Sequence, residues 1–204
     1  MNTPVCTHLG HTPSLPSSAF VAPGAVVLGD VSVGDNSSIW YGCVLRADIQ
    51  SIRIGHSTNL QDGTIIHLAS DLGTTVGDHV TCGHRCLLHA CTIGDEVLVG
   101  MGAIVMDGAE IGSQSIIGAG ALVTKGFKAP AGSLILGSPA KIARSLSDEE
   151  RQGIRHWAEK YVQVALEQPN RSDSLKNGVW DLPQDAYIAK PLRSPFRPHG
   201  QVSR

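Results

Sequence analysis

Aliphatic residues recur every six positions through most of residues 15–123, and this period constrains the fold more than any other feature. A six-residue unit is too short for a helical hairpin, but it fits a short strand followed by a bend. Three such units make one turn of a parallel β-helix, whose inward side chains stack into a column. The sequence therefore predicts a mainly β protein. Grouped by predicted turn, the first residues of the units are Leu15/Val21/Val27, Val33/Ile39/Leu45, Ile54/Leu60/Ile66, Val76/Cys82/Leu88, Ile93/Val99/Val105 and Ile111/Ile117/Val123.

The register of six slips at three places in the chain. The step is nine residues over 45–54, ten over 66–76 and five over 88–93. The ten-residue step predicts a short loop around residues 69–73. Because loops that leave a rigid solenoid often carry function, we expect a functional site near these slips.

The repeat is expected to end after Val123, where prolines and glycines mark turns. The sequence assigns the β-helix to residues 12–140. Residues 169–204 contain five prolines and are predicted to form an extended or disordered tail.

A C-terminal helix is predicted over residues 147–168. Ser147 and Glu150 have the spacing of a capping box, in which each side chain bonds the backbone amide of the other residue. Apolar residues then follow at helical spacing, among them Trp157 and Tyr161, and this stripe predicts a helix that packs along the solenoid.

Composition argues against several classes of function. The net charge of −2 favours neither nucleic acid nor an acidic lipid surface as a partner. No stretch approaches the ~18 apolar residues of a membrane span. The N-terminus shows no secretory signal and the five cysteines show no disulfide framework, so we expect a cytoplasmic protein. Cys82 occupies an inward position, and the scattered columns of Cys43, Cys86 and Cys91 argue against a shared metal site.

Two histidines occupy one column of the predicted coil. His67 and His89 each follow the third aliphatic residue of successive turns, and parallel strands lie ~4.8 Å apart, so both imidazoles could bind one ion. His84 lies around a corner, in the column of Asp62. In a three-fold assembly, the pair of one chain would meet the lone histidine of the next. The spacing alone leaves two alternatives open, a metal site and ordinary surface histidines.

Several ordered motifs resemble the γ-class carbonic anhydrase family over roughly residues 12–167. They are Arg46-Ala47-Asp48, Asn59-Leu60-Gln61-Asp62-Gly63, His67, Gly83-His84, His89, Gly100-Met101-Gly102-Ala103 and Gly137-Ser138-Pro139-Ala140-Lys141. The resemblance implies a left-handed β-helix and a homotrimer, with zinc or ferrous iron bound by three histidines across each interface. It implies His67 and His89 of one chain, with His84 of its neighbour, as the ligands.

The resemblance also implies roles for residues around the metal. Arg46 and Asp48 resemble the family's inter-subunit ion pair, and Gln61 and Asp62 resemble its polar residues beside the metal. We expect Gln61 to orient the attacking hydroxide, and Asp62 to hold either Gln61 or a metal ligand. Tyr161 is a candidate for the pocket rim, with helix packing as its alternative role.

The function implied is reversible hydration of CO2 to bicarbonate, with Zn²⁺ as the expected metal and Fe²⁺ or Co²⁺ as alternatives. The chain has Ile49 where the best-characterised members carry a glutamate. Its loop over residues 69–75 is short, with Asp71 as its one acidic residue. Because those members use acidic residues to shuttle protons, we expect weak activity. Other functions for this fold are acyl transfer, acyl-CoA thioester hydrolysis and a non-catalytic role in assembly.

Overall fold

The computed structural model describes residues 5–168, which form a parallel β-helix followed by one α-helix. The tail predicted over residues 169–204 lies outside the described residues. The strands are β1 (Val5–Cys6), β2 (Phe20–Val21), β3 (Val26–Val33), β4 (Ser38–Ile39), β5 (Val44–Ile54), β6 (Asn59–Leu60), β7 (Ile65–His67), β8 (Thr74–Val76), β9 (Thr81–Cys82), β10 (Leu87–His89), β11 (Thr92–Ile93), β12 (Leu98–Val99), β13 (Ile104–Val105), β14 (Glu110–Ile111), β15 (Ile116–Ile117), β16 (Leu122–Val123), β17 (Lys128–Ala129), β18 (Ser133–Gly137) and β19 (Ala140–Ser145), and the helix is α1 (Asp148–Leu166).

The strand register confirms the predicted columns of inward residues. Except for β19, which pairs antiparallel with β18, the strands pair in parallel with their counterparts one turn away, so equivalent hexad positions lie directly above one another. The side chains of one such column are all fully buried, which makes the column a continuous apolar core. In order, this column contains Val27, Leu45, Ile66, Leu88, Val105 and Val123.

The strands continue past the predicted hexad pattern at both ends. After Val123, where that pattern was expected to end, Ala129 pairs with Ile111 and Ile135 pairs with Ile117 in the same register, within the β-helix predicted over residues 12–140. At the other end, β1 pairs with β3 ahead of the predicted start at residue 12. The antiparallel pair β18–β19 then closes the C-terminal end of the coil.

The register slips are accommodated in different ways. The nine-residue step lies inside β5, which continues around a corner as one strand of 11 residues. The predicted loop is closed by a hydrogen bond of 2.9 Å from the Ala69 amide to the Leu72 carbonyl. The five-residue step directly follows His89 and contains the buried residue Ala90, whose φ of 49° lies in the left-handed region. That conformation fits the tight corner there.

The C-terminal helix begins with the predicted capping box. The Glu150 amide donates to Ser147 Oγ at 3.2 Å, and the Ser147 amide donates to Glu150 Oε2 at 2.8 Å. The helix packs against β4, β6 and β9 and buries Ile154 and Ala158. Trp157 was expected to pack on the solenoid but is 43% exposed, because the helical period places it at the edge of the packed face. No helix within residues 5–168 has the length and hydropathy needed to cross a bilayer.

Candidate metal centre

The stacked histidine pair predicted from the sequence is confirmed. His67 ends β7, His89 ends β10, and the two residues are register partners. Because side chains alternate along a strand, the inward Ile66 and Leu88 direct both imidazoles to the outer surface. The ring centroids are 5.3 Å apart, and Nδ1 of His67 lies 3.2 Å from Nε2 of His89.

Each imidazole of the pair forms a hydrogen bond with a carboxylate through the ring nitrogen that faces away from the other histidine. His67 Nε2 lies 2.9 Å from Asp48 Oδ1, and His89 Nδ1 lies 2.5 Å from Asp107 Oδ1. Burial works to raise the pKa of Asp48, but hydrogen bonds from His67 and Arg46 outweigh it and hold the pKa below its usual value. The hydrogen bond from His89 lowers the pKa of Asp107. An ionised carboxylate only accepts, so both of these ring nitrogens carry hydrogen.

When both rings are neutral, this bonding leaves the two facing nitrogens of the pair as acceptors. His67 Nδ1 and His89 Nε2 then direct lone pairs toward the same point from 3.2 Å apart. A cation between them would relieve that repulsion. With metal–nitrogen bonds of ~2.0–2.1 Å, two ligands of a tetrahedral ion are separated by about 3.3 Å. The spacing of the pair therefore fits two ligands of a tetrahedral metal site.

His84 lies on a different corner of the coil. Its Nδ1 is 2.9 Å from Asp62 Oδ2, which leaves Nε2 available, and its side chain is 44% exposed. Within residues 5–168 of a single chain, no three or more His, Cys, Asp or Glu side chains are grouped so as to hold a metal ion. One chain therefore presents two imidazoles at one place and a third imidazole elsewhere.

The remaining predicted site residues lie near His84 and under the helix. Asp62 contacts the candidate ligand His84, which is one of the two roles predicted for it. Gln61 is 5% exposed, and its amide donates to Asn59 Oδ1 at 3.2 Å. Burial raises the pKa of Tyr161, and the charge of Asp62 raises it further. The Tyr161 ring packs edge-on against Trp40 at 5.9 Å, so the tyrosine serves helix packing and also lies close to Asp62.

Arg46 and Asp48, predicted to join two subunits, form an ion pair with each other inside one chain. Asp48 bonds His67 with its other oxygen, so one carboxylate links the arginine to the histidine pair. The pairing across subunits stays a prediction.

Sequence reasoning missed two residues that support the site. Asn59 holds Gln61 and in turn donates to Thr81 Oγ1 at 2.9 Å. Asp107 holds His89, although it lies one turn away and outside the histidine column. A search for carboxylates in the turns on either side of each histidine, including neighbouring columns, would have found Asp107.

The cysteines provide no competing site for a metal. Cys82 is fully buried, as its inward position predicted. Burial raises the pKa of Cys43 to about 11, and that of Cys86 and of Cys91 to about 12. Burial thus keeps these thiols protonated, and within residues 5–168 no cysteine is grouped with further His, Cys, Asp or Glu side chains so as to hold a metal ion.

Comparison with known proteins shows which family shares these features. The family described as bacterial transferase hexapeptide (six repeats) matches residues 90–125. Mitochondrial γ carbonic anhydrase 2 of Arabidopsis thaliana is 43% identical over 160 residues. The alignment covers 76% of this chain and 58% of the plant protein, which is less than two thirds of its length.

Two bacterial proteins match over more of their own length. The carbonic anhydrase of Geobacillus kaustophilus is 40% identical over 154 residues, which cover 76% of this chain and 85% of that protein. The crystal structure of a hexapeptide transferase family protein from Anaplasma phagocytophilum has a TM-score of 0.77 and 43% identity. That match covers 79% of this chain and 96% of the other. The chain belongs to the γ-class carbonic anhydrase family of hexapeptide-repeat β-helix proteins.

Proposed function

We propose that this protein catalyses the reversible hydration of CO2 to bicarbonate at a metal site shared between subunits. His67 and His89 of one chain and His84 of the next would hold the metal. The observation that carries the proposal is the facing pair of imidazole nitrogens, 3.2 Å apart, with each ring anchored to a carboxylate. Three imidazoles with an open fourth position form a catalytic metal site rather than a structural one.

Zn²⁺ is the first candidate for the metal because it accepts three imidazoles in tetrahedral geometry. Fe²⁺ and Co²⁺ also bind imidazole, and the ligand type does not select among these ions. When bound, the metal supplies Lewis acidity that lowers the pKa of water toward about 7 and so makes a nucleophile at neutral pH.

The side chains of the protein supply orientation around this centre. Asp48 and Asp62 hold His67 and His84 by one ring nitrogen, so that the other nitrogen is free to bind the metal. Gln61, held through Asn59 and nearly buried, offers its amide as a fixed hydrogen-bonding partner for the substrate. Tyr161 contributes to the rim of the pocket near Asp62.

A homotrimer is part of the proposal, because the pair and the lone histidine lie on different corners of each chain. The face that carries the pair also presents an outward column of aliphatic residues, and Ile65 in this column is 44% exposed. Covering such a column removes apolar surface from water, at about 25 cal/mol for each Å². A head-to-tail contact repeated around a three-fold axis would cover it in every subunit. The column consists of Val26, Val44, Ile65, Leu87, Ile104 and Leu122.

Turnover is expected to be slow because the chain lacks the glutamates with which the best-characterised members of the family shuttle protons. Ile49 is 57% exposed where a glutamate would serve as a relay, and the short loop over residues 69–75 brings only Asp71. A cytoplasmic location is also proposed, and the five free thiols fit a reducing compartment.

Acyl-CoA chemistry, as transfer or as thioester hydrolysis, is the second candidate. The observation that favours it is the likeness to the hexapeptide transferase family protein from Anaplasma phagocytophilum. A fold of this kind hosts several functions, so the likeness alone does not decide between them.

The test is CO2 hydration by protein that has been stripped of metal and reconstituted anaerobically with Zn²⁺, Fe²⁺ or Co²⁺. We expect about one metal per chain and hydration above the buffer rate, with both lost in His84→Ala. Metal-loaded protein without activity would refute the hydration function but would not contradict the metal site. Turnover of acetyl-CoA by the same sample would then support the second candidate.

A further inference from the structure

Asp107 lies outside the motifs that resemble the family, yet it makes the shortest contact to a histidine of the pair. Its Oδ1 is 2.5 Å from His89 Nδ1. The two residues are 18 positions apart in the chain, and the contact is made entirely within one subunit.

The contact selects one of the two neutral forms of the His89 imidazole. A carboxylate accepts hydrogen bonds, so His89 Nδ1 carries the hydrogen and Nε2 carries the lone pair. Nε2 is the nitrogen that faces His67, at 3.2 Å. The opposite tautomer would point an N–H group at the place where the metal would bind.

The same kind of contact is made by the other member of the pair, whose Nε2 lies 2.9 Å from Asp48 Oδ1. Each imidazole of the pair thus has its own carboxylate, Asp48 for His67 and Asp107 for His89.

We infer that Asp107 is a positioning residue for the metal site, which fixes the His89 tautomer and directs Nε2 toward the ion before the metal binds. This inference rests on the proposed function for its purpose, but the tautomer can be measured in the metal-free protein. Partners that orient a metal-binding histidine in this way are typically worth roughly 10–100-fold in metal affinity.

The first measurement uses the metal-free, full-length protein. Histidine ¹⁵N and ¹³C chemical shifts separate the two neutral tautomers, and the His89 signals are identified by their loss in His89→Ala. We expect the Nδ1–H form in the wild type. In Asp107→Asn the Nε2–H form should appear, because an amide can donate to Nδ1. A wild type with His89 in the Nε2–H form would overturn the inference, as would an Asp107→Asn protein whose tautomer is unchanged.

The second measurement is the affinity for Zn²⁺ and Co²⁺ by competition with a chelator. Asp107→Asn and Asp107→Ala should bind roughly 10–100-fold more weakly than the wild type, with unchanged melting temperatures of the metal-free protein. Equal loss of melting temperature and affinity would mean a structural role and would overturn the inference, and so would unchanged affinity.

A matched control replaces an aspartate of the coil that touches no histidine ring. Asp95 accepts a hydrogen bond of 2.9 Å from the Asp78 amide, so Asp95→Asn removes a comparable charge elsewhere. It should leave both the His89 tautomer and the affinity unchanged. A wild type that takes up no metal would refute the proposed function, whereas the tautomer would still decide the role of Asp107.

Discussion

The division of the three histidines between two places on the chain can be tested by mixing subunits. His84→Ala leaves the stacked pair of His67 and His89 intact, whereas His67→Ala leaves His84 intact. Each mutant trimer alone has three incomplete sites, because every interface lacks one imidazole. A trimer that contains both kinds of chain should regain a complete site wherever an intact pair meets an intact His84.

The size of the recovery follows from the ring of three head-to-tail interfaces. In a trimer with two chains of one mutant and one of the other, the interface between like chains lacks one ligand. Of the two unlike interfaces, one lacks two ligands and the other is complete. Every mixed trimer should therefore bind about one metal ion, against about three in the wild type, whichever mutant is in excess.

The assay is co-expression with two different affinity tags, purification through both tags, and elemental analysis after anaerobic loading with Zn²⁺. The control is a mixture of His67→Ala with His89→Ala, because both changes damage the same half of the site. No chain in that mixture has an intact pair, so it should recover no metal. Equal recovery in both mixtures, or no recovery in either, would refute the division of the site between subunits.

Three further outcomes follow from the described residues. Arg46→Ala should weaken the trimer and its metal affinity, because removing one partner of an ion pair enclosed at an interface costs several kcal/mol, whereas an exposed pair contributes only ~0–1 kcal/mol; a mutant that stays trimeric with full metal content in sedimentation at low micromolar concentration would contradict this. Gly153→Ala in α1 should stabilise by about 0.5–1 kcal/mol, since its Cβ meets nothing within 4 Å, whereas Gly100→Ala should destabilise, since its Cβ would lie 2.4 Å from the Ala119 amide nitrogen; thermal unfolding of both variants tests this contrast. Burial raises the pKa of the core thiols above their ordinary value of 9.0, so their contribution to stability is complete below about pH 9 and is lost as pH rises toward 11–12. Urea unfolding at a series of pH values should show this loss of free energy of unfolding. Cys86→Ala removes one of the thiols, so the decline of the free energy of unfolding with pH should become shallower by about 1.4 kcal/mol per pH unit over this range.

The parts of the fold that the sequence predicted are those with a strict period. Inward aliphatic residues such as Ile66 and Leu88 must stack on their counterparts in the next turn, so spacing alone yields their register. The stacked pair followed from the same period, because His67 and His89 come directly after those residues. The capping box of Ser147 and Glu150 was equally predictable, since both partners lie within one turn of helix.

Predictions fell short where the sequence spacing does not mark the place of a residue in the fold. Ala129 continues the core in a segment rich in proline and glycine, where a small side chain hardly marks an inward position. Trp157 fits the helical spacing but lies at the edge of the packed face, and the width of that face depends on the solenoid. Asp107 contacts His89 from a different column, which a search within columns does not reach.

The sequence by itself determined the coil, its register and the presence of three histidines at two places. These features follow from a repeat of six and from the alternation of side chains along a strand. Only the tertiary structure decided which nitrogen of His67 and of His89 is free to bind a metal. That choice depends on contacts with Asp48 and Asp107, which lie 19 and 18 residues away along the chain. Such contacts form only when successive turns of the coil bring distant residues within hydrogen-bonding distance. The hydrogen-bond partner decides which ring nitrogen carries the hydrogen, and the position of the histidine in the repeat does not.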